Sequence, residues 1–397
     1  MSGSIRPIGE LIETLIDYRG KTPPKSSSGV PLITAKVIKS GRILAEPREY
    51  IADETYDGWM RRGLPRTGDI LITTEAPLGE VAQVGVDARI ALAQRVILLR
   101  PNPAAVDPQF LFHYLRSPNA RFSLMRRASG TTVSGIRQPE LRAVQVPLLA
   151  RSAQETVGQI LDAVDDLIEN TRRRVEVLEE MARAIYQEWF VQFRYPGHDS
   201  ATFVESALGP IPAGWDVGRV DSHFVLQRGF DLPAKEREPG VVPIIGASGR
   251  QGSHSIAKAL GPGLTTGRSG TVGVVTYIPV DFWPLNTSLW VKEFRLSTPR
   301  AAYFLLSSLD LAQAASGAAV PTLNRNVVHA LPVVCPPRAL IEDWDSAARP
   351  IFDSMEALRL QSEYLAELRD LLLPKLVTGQ VDVSVLDPDR HVESSVA

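Results

Sequence analysis

The stretch LDAVDDLIENTRRRVEVLEEMARAIYQEW, residues 161–189, carries apolar side chains in alternating steps of three and four residues. This spacing is sustained over four heptads, so it predicts a long helix with one apolar seam. Such a seam must be buried against a partner. The predicted seam residues of this first helix are Leu161, Val164, Ile168, Val175, Leu178 and Ile185.

A second seam follows downstream, in a helix predicted from about Ala347 to Leu373 and ending near Pro374. Ser362 and Arg369 lie in or near this seam, which makes it less regular than the first. Two seams of similar length in one chain are buried most simply against each other. We therefore expect an antiparallel coiled coil, roughly 40–45 Å long, with a globular domain at each end. The predicted seam residues of the second helix are Ile351, Met355, Leu358, Leu365, Leu368 and Leu372.

The two helices belong to an internal duplication. SGTTVSGIRQPELRAVQVP (129–147) aligns with SGAAVPTLNRNVVHALPVV (316–334), and the same offset places Val164 on Ile351 and Trp189 on Leu376. Three pairs of upstream segments match more loosely, and short β-branched runs among them predict strands. Each half is therefore predicted to be an α/β domain followed by a long helix. The loosely matching pairs are 68–85 with 261–279, 91–101 with 284–294, and 109–117 with 300–308.

This organisation predicts four segments. Residues 1–150 form the first globular domain, and residues 151–193 form the central helix. Residues 194–340 begin with a linker rich in Pro, Gly and Ser and continue into the second globular domain. Residues 341–397 form the second helix and an acidic tail.

The bulk composition is that of an ordinary globular protein. The 397 residues are 44% hydrophobic and 22% charged, and no apolar run approaches the length of roughly 20 residues that a membrane span needs. The single cysteine, Cys335, excludes an internal disulfide. Because the N-terminus also lacks a signal-peptide pattern, we expect a cytoplasmic protein.

Charge is distributed unevenly although the net charge is only −2. Lysine and arginine outnumber aspartate and glutamate by 20 to 14 in residues 1–150 and by 12 to 9 in residues 201–340. Acidic residues outnumber basic ones by 10 to 6 in residues 151–200 and by 12 to 5 in residues 341–397. The predicted domains are thus basic and could contact phosphate, whereas the helices are acidic and should avoid it.

No catalytic or metal-binding motif is convincing. GPGLTTGRSG (261–270) lacks the Gly-Lys-Ser/Thr ending of a phosphate loop and has Thr266 where a dinucleotide fingerprint needs its third glycine. The six histidines show no metal-ligand spacing, and Cys335 lies in an apolar run that predicts a core position. We therefore expect no metal and no active centre, and a binding module is favoured over an enzyme with an unfamiliar site.

Polar, glycine-rich loops fall at matching places in the two halves: 73–79 and 129–138, and 265–270 and 316–326. Arg, Asn, Gln, Ser and Thr side chains read base edges, and glycine lets the backbone approach phosphate. Ordinary solvated turns need the same residue types, so this alternative stays open. The candidate DNA-contacting residues are Thr73, Thr74, Arg126, Arg127, Arg137, Gln138, Arg268, Ser269, Asn324 and Arg325.

These features together resemble the specificity subunit of type I restriction–modification systems. The resemblance is strongest in VPLLARSAQETVGQILDAVDDLIENTRRRVEVLEEMARAIYQEWFVQFRYPGH (146–198), which is similar to the family's central conserved region. LAELRDLLLPKLVTGQVDV (365–383) is similar to its C-terminal conserved region. GVVPIIGASGRQGSH (240–254) and PLNTSLWV (284–291) resemble elements of its recognition domains.

The resemblance implies two target recognition domains, each reading one half of a split, asymmetric DNA site, with the paired helices fixing the gap. It implies a non-catalytic subunit of a phage-defence complex that holds no cofactor itself. Its partners would be double-stranded DNA, two methyltransferase subunits that bind S-adenosylmethionine, and restriction–translocase subunits that use ATP and Mg. The acidic outer face of the first helix would dock a methyltransferase subunit; it comprises Asp165, Asp166, Glu169, Glu176, Glu179 and Glu180.

One alternative from a different class remains at this point. A coiled-coil adaptor with two domains for ligands other than DNA would have the same duplication and the same seams. Sequence-selective DNA binding that weakens with salt separates the two hypotheses, because phosphate contacts release counterions.

Overall fold

The computed structural model describes residues 4–18, 20–86, 88–130, 134–316 and 321–383. The chain divides into two compact units. The first unit comprises residues 1–170 and 361–397, and the second comprises residues 171–360. Each unit therefore holds one globular domain and a part of both long helices. Among the described residues, no helix is both long enough and apolar enough to span a membrane.

The first half of the chain alternates short strands and helices and ends in the first long helix. In chain order its elements are β1 (Ser4–Pro7), α1 (Ile8–Leu11), β2 (Ile12–Asp17), β3 (Val30–Ile33), β4 (Ile38–Lys39), β5 (Arg42–Ile43), β6 (Tyr50–Ile51), α2 (Asp53–Trp59), β7 (Ile70–Thr74), β8 (Leu78–Gln83), β9 (Ala91–Leu92), β10 (Val96–Pro101), α3 (Pro108–Arg116), α4 (Pro118–Arg127), α5 (Gln138–Arg142), β11 (Gln145–Leu148) and α6 (Arg151–Phe190).

The second half repeats this plan after two short linker strands. Its elements are β12 (Phe203–Val204), β13 (Ile211–Pro212), β14 (Asp216–Arg219), α7 (Val220–His223), β15 (Phe224–Arg228), β16 (Val242–Gly246), β17 (Gly249–His254), β18 (Gly263–Gly267), β19 (Val275–Ile278), β20 (Trp283–Pro284), β21 (Ser288–Phe294), α8 (Pro299–Ser308), β22 (Ala315–Ser316), β23 (Thr322–Leu323), α9 (Arg325–Ala330), β24 (Pro332–Cys335) and α10 (Arg338–Val377).

Sheet topology confirms the duplication. The four-stranded sheet of the first unit has the order β2-β10-β7-β8, and that of the second has the matching order β15-β21-β18-β19. Each unit also has a three-stranded sheet, β6-β3-β9 or β17-β16-β20, in which one strand pair is parallel. A two-stranded sheet, β1-β11 or β14-β24, completes each domain. Both predicted domains are thus α/β domains of one fold.

The central sheet of the first unit is buried on both faces, which explains its continuous apolar strands. Ile70 and Ile72 of β7 share a core cluster with Phe110 of α3. Leu71, between them, belongs to a second cluster with Leu32 of β3. Because successive strand residues point to opposite faces, a strand covered on both sides needs apolar residues at every position.

The long helices are copies of each other. Each has 40 residues, and the start and the end of α10 lie 187 positions beyond those of α6. The predicted start of the second helix near Ala347 was therefore nine residues too late, since α10 begins at Arg338, directly after Pro336 and Pro337. The helix also continues past Pro374 to Val377, because burial of its apolar face outweighs the loss of one backbone bond.

Within each unit the two helices run antiparallel. In the first unit, Leu161 shares a core cluster with Leu373 and Leu376, while Asp165, one turn later, pairs with Arg369, one turn earlier. In the second unit, Glu179 pairs with Arg359 at 3.7 Å, and the ring of Tyr186 lies 5.4 Å from that of Trp344.

The seams follow the heptad spacing along both helices. All of the predicted seam residues are buried or half-buried; Leu161, Ile168, Met355 and Leu358 are buried, and Val164, Val175, Leu178, Ile185, Ile351, Leu365, Leu368 and Leu372 are half-buried. Polar side chains also occupy seam positions. Thr171 of α6 and Ser362 of α10 are buried, as the spacing requires.

Candidate nucleic-acid interface

Each domain joins the end of a central strand to the start of a short helix. In the first unit, the Ile136 N–H donates to the Thr74 carbonyl at the end of β7, at 3.0 Å. In the second unit, the Leu323 N–H donates to the Arg268 carbonyl just beyond β18, at 2.8 Å. Sequence-predicted residues from separate loops therefore meet, in matching places, in both units.

The residues that follow Ile136 and Leu323 in sequence lie at the starts of the helices α5 and α9. Arg137 precedes α5, its side chain makes no capping bond, and it is exposed. Asn324 precedes α9, and its side-chain oxygen accepts a hydrogen bond from the Asn326 N–H at 2.9 Å. Gln138 and Arg325 are the first residues of these helices, the former half-buried and the latter exposed. The two units thus share a framework but present different side chains on it.

Thr73 and Thr74 do not fit the predicted role in DNA contact. Both are buried strand residues, with exposed fractions of 0% and 2%. The Thr73 hydroxyl accepts a hydrogen bond from the Glu80 N–H at 2.9 Å and so joins β7 to β8. Side chains buried inside the sheet do not reach a base edge, so these two candidates are corrected to structural residues.

Arg126 and Arg127 end α4, close to the start of α5. Arg127 forms an ion pair with Glu140 of α5 at 2.9 Å, so part of its charge is used internally. Arg126 is exposed and lies over the ring of Phe122, with its guanidinium carbon 5.8 Å from the ring centre. Arg126 and Arg137 are therefore the more accessible of the four predicted arginine and glutamine candidates in this region.

Arg268 and Ser269 are half-buried in the corresponding loop of the second unit. Their N–H groups donate to the Thr287 carbonyl at 2.9 and 3.2 Å. Gly267 makes this loop possible, because a Cβ there would lie 1.7 Å from the Thr271 carbonyl oxygen. Gly261 and Gly263 also lie in close packing, whereas Gly270 has open space around it and adopts a positive φ of 86°.

Two predicted loops extend beyond the described residues. Residues 131–133 of the loop 129–138 and residues 317–320 of the loop 316–326 lie outside them. The candidate residues Arg137, Gln138, Asn324 and Arg325 are all described.

Sequence reasoning missed a further pair of turns at this edge. Gln94 and Arg95 lie between β9 and β10, and Asn286 and Thr287 lie between β20 and β21. Arg95 pairs with Glu75, directly after β7, at 2.7 Å. The sequence alignment of the two halves could have identified these turns, because they lie in the aligned segments 91–101 and 284–294.

The acidic face of α6 is only partly free for a partner, which corrects the prediction that it forms one outer surface. Asp165 bonds Arg116 of α3 and Arg369 of α10, and Glu169 pairs with Arg42. Glu179 accepts a hydrogen bond from the Tyr303 hydroxyl at 2.6 Å. The other predicted members, Asp166, Glu176 and Glu180, are exposed.

Burial and these contacts shift the pKa values of Asp165 and Tyr303. Burial by itself would raise the pKa of Asp165, but hydrogen bonds from Arg116 and Arg369 outweigh it and hold the pKa below its ordinary value. Burial, aided by the Glu179 carboxylate, raises the pKa of Tyr303. Asp165, Glu169 and Glu179 of α6 thus serve as internal partners within their own units.

The buried histidines make internal contacts. His113 Nε2 lies 2.8 Å from the Asp162 carboxylate, and His223 Nδ1 lies 2.8 Å from the Ser297 hydroxyl. Burial lowers the pKa of His223 to about 4 and raises the pKa of the Cys335 thiol, 3.3 Å away. Among the described residues, no group of three or more His, Cys, Asp or Glu side chains could hold a metal ion.

Comparison with known proteins agrees with this architecture. Residues 5–180 match the family described as the type I restriction modification DNA specificity domain. The chain is 24% identical over 343 residues to the type I restriction enzyme MjaIX specificity subunit of Methanocaldococcus jannaschii, covering 80% of this chain and 79% of that one. It is 20% identical over 409 residues to the HindI specificity subunit of Haemophilus influenzae, covering 80% and 87%.

A solved structure shares the fold. The S subunit of a type I restriction-modification system from M. genitalium superposes with a TM-score of 0.54 at 15% identity, covering 95% of this chain and 96% of that one. The duplicated topology, the specificity domain in residues 5–180 and the similarity to whole specificity subunits agree with one another. Residues 5–180 thus match the type I restriction modification DNA specificity domain, and the chain is similar to type I restriction enzyme specificity subunits over most of its length.

Proposed function

We propose that this chain is the DNA-recognition subunit of a type I restriction–modification complex, with each unit reading one half of a bipartite, asymmetric site. The repeated loop framework is the observation that supports this most directly. Arg137 and Gln138 in the first unit correspond to Asn324 and Arg325 in the second. Different hydrogen-bonding side chains on one framework suit two half-sites of different sequence.

The partner subunits of the complex would supply the cofactors and the catalytic groups. Two methyltransferase subunits carrying S-adenosylmethionine would modify the bound DNA, and restriction–translocase subunits would use ATP and Mg. This subunit would contribute neither a cofactor nor a catalytic group, and it would act in the cytoplasm. The exposed Asp166, Glu176 and Glu180 of α6 are the part of the acidic face that remains available to a methyltransferase subunit.

Methylation sequencing tests the proposal. The chain is expressed with its methyltransferase subunits in a host without restriction–modification systems, and the methylated adenines of the genome are mapped. We expect one motif made of two specified halves and an unspecified gap. The methyltransferase subunits alone are the control and should give no motif.

An adaptor for other ligands would give a different result. It would leave the genome without a motif, and the purified complex would show no sequence-selective, salt-dependent binding to duplex DNA. Either absence in the assembled complex contradicts the proposed function.

A further inference from the structure

A cleft of about 290 Å³ opens in the first unit where two parallel strands end. Strands β3 and β9 pair in parallel, with Ile33 opposite Leu92. Thr34 follows the first strand and Gln94 follows the second by two residues, and both line the cleft. Crevices at the carboxyl ends of parallel strands are common ligand sites, because the loops that leave the strands converge there.

The cleft has an apolar floor and a polar rim. Leu32 and Ala93 line it and are buried, with exposed fractions of 3% and 8%. Lysine, arginine, glutamine and threonine side chains surround them. Hydrogen-bonding side chains on such a rim suit the edges of bases exposed in a groove of the duplex, and the apolar floor suits the methyl group of thymine. The rim includes Lys25, Lys36, Gln94 and Arg95, together with the carboxylate of Glu49.

The rim presents positive charge outward. Glu49 pairs with Lys25 at 2.7 Å and with Lys36 at 3.9 Å, and Glu75 pairs with Arg95. The side chains of Lys25, Lys36 and Arg95 are 55%, 71% and 50% exposed, whereas those of Glu49 and Glu75 are 19% and 38% exposed. The carboxylates are therefore recessed and hold the cations at the surface, where an approaching anion would meet them first.

The cleft adjoins the candidate interface already described. Glu75, which holds Arg95, forms an isolated β-bridge with Gly135. Gly135 lies two residues before Arg137. Arg95 is thus connected through Glu75 and Gly135 to the segment that begins α5.

The second unit differs at the corresponding place. There the turn after β20 holds Asn286 and Thr287, and the Asn286 side-chain amide bonds the Asp231 carboxylate. The Thr287 hydroxyl accepts a hydrogen bond from the Ala247 N–H at 3.3 Å. These groups have internal partners, and no lysine or arginine of this turn matches Arg95. The two units therefore offer different chemistry to DNA at this position.

We propose that the cleft is a base-reading subsite for the DNA half-site bound by the first unit. Arg95 and Gln94 read base edges, with guanine the preferred partner of the guanidinium and adenine that of the amide, and Lys25 and Lys36 contact phosphates. This inference rests on the proposed function and adds to it a location and a division of roles.

Selection from a library of random-sequence duplexes by the complete complex with its methyltransferase subunits tests the inference. We expect Arg95→Ala to relax one position of one half-site, with its base preference reduced about 5- to 150-fold, and to leave the other half-site unchanged. Arg95→Lys should relax the same position, because lysine keeps the charge but lacks the two-pronged donor geometry. Lys36→Ala should keep the motif and reduce the salt dependence of binding by about one phosphate contact.

Arg61→Ala is the matched control, since Arg61 is exposed in the same unit and does not line the cleft. It should keep both half-sites. The inference is overturned if Arg95→Lys selects the parental motif with full preference, or if the Arg95 variants weaken binding to all sequences equally. A parental complex that selects no motif would instead overturn the proposed function, and with it this inference.

Discussion

Asp165 of α6 accepts a hydrogen bond at 2.8 Å from the guanidinium of Arg369 in α10, across 204 positions of sequence. The same carboxylate bonds Arg116 of α3. Arg116 also lies 3.2 Å from His113 Nδ1, and Nε2 of that ring contacts Asp162. One carboxylate thus joins both long helices to the globular domain of the first unit.

Replacing Asp165 tests the importance of this junction. The side chains of Arg116 and Arg369 are only 8% and 12% exposed; Arg116 depends on this carboxylate for its counter-charge, and Arg369 shares its charge between Asp165 and Asp370. We expect Asp165→Asn to lower the free energy of unfolding at pH 7 by about 3 kcal/mol, measured by urea denaturation with circular dichroism. Asp166→Asn, on the exposed side of the same helix, should change it by less than about 0.5 kcal/mol. Equal effects of the two substitutions on the free energy of unfolding would contradict the stabilising role of the Asp165 ion pairs.

The same pair has a defined pH dependence. The folded-state pKa of Asp165 lies below its ordinary value of 3.8, so in acid the unfolded chain binds this proton more readily than the folded chain. The stabilisation is complete above the ordinary pKa and is lost as the pH falls through the lower, folded value. The difference in unfolding free energy between the parental protein and Asp165→Asn should therefore shrink below about pH 4. A difference that stays constant would show that the charge of Asp165 is unimportant.

His223 predicts a separate pH effect in the second unit. Burial lowers its pKa from 6.5 to about 4, so the unfolded chain takes up a proton between these values that the folded chain does not. Stability should therefore fall as the pH drops from 6.5 to 4, by about 2–3 kcal/mol. Tryptophan fluorescence can follow this unit, because five of the six tryptophans lie in residues 171–360. His223→Gln should remove the extra slope; an unchanged slope would assign it to other groups.

The correction at Thr73 is also testable. Thr73→Val removes the hydroxyl that accepts the Glu80 N–H, so we expect a loss of about 1–3 kcal/mol in unfolding free energy. The recognised DNA motif should not change, since the side chain is fully buried. Arg137→Ala is the comparison, because this exposed arginine should affect recognition more than stability. Thr73→Val with parental stability and an altered motif would restore the original prediction.

The helix lengths predict the gap between the half-sites. We expect a heptad inserted after Val175 in α6, with another after Gln361 in α10, to preserve both seams because each keeps its seven-residue repeat. Seven residues add about 10.5 Å, so the gap in the methylated motif should lengthen by about three base pairs. Methylation sequencing measures both the gap and the two halves, which should stay unchanged. An unaltered gap would refute the role of the helices as a spacer.

Repetition made most of the fold predictable. The offset of 187 residues appears in the aligned segments and again in the bounds of α6 and α10. Short β-branched runs such as DILITT (69–74) predicted strands, and the strand β7 in this run is buried on both faces. The helix start near Ala347 was misplaced because the seam alone was followed, while the preceding turn at Pro336 and Pro337 sets the actual beginning at Arg338.

The candidate site was less predictable, because loop sequences carry no information about burial. Thr73 and Arg137 both fall in polar loop segments, yet one side chain is buried in a strand and the other is exposed. Arg95 was overlooked since its turn is short and adjoins an apolar strand. The pairing of β10 with β7 brings that turn beside Glu75, and an isolated bridge joins Glu75 to Gly135, two residues before Arg137.

The sequence by itself determined the duplication, the heptad seams and the alternation of basic domains with acidic helices, because these are periodic or additive properties of the chain. The tertiary structure decided which charges remain available. Asp165, Glu169 and Glu179 appear in the sequence as part of one acidic surface, but their own units supply Arg116, Arg42 and Tyr303 as partners. Such pairings depend on contacts between residues far apart in sequence, and each is selected by the packing of elements whose local patterns do not specify it.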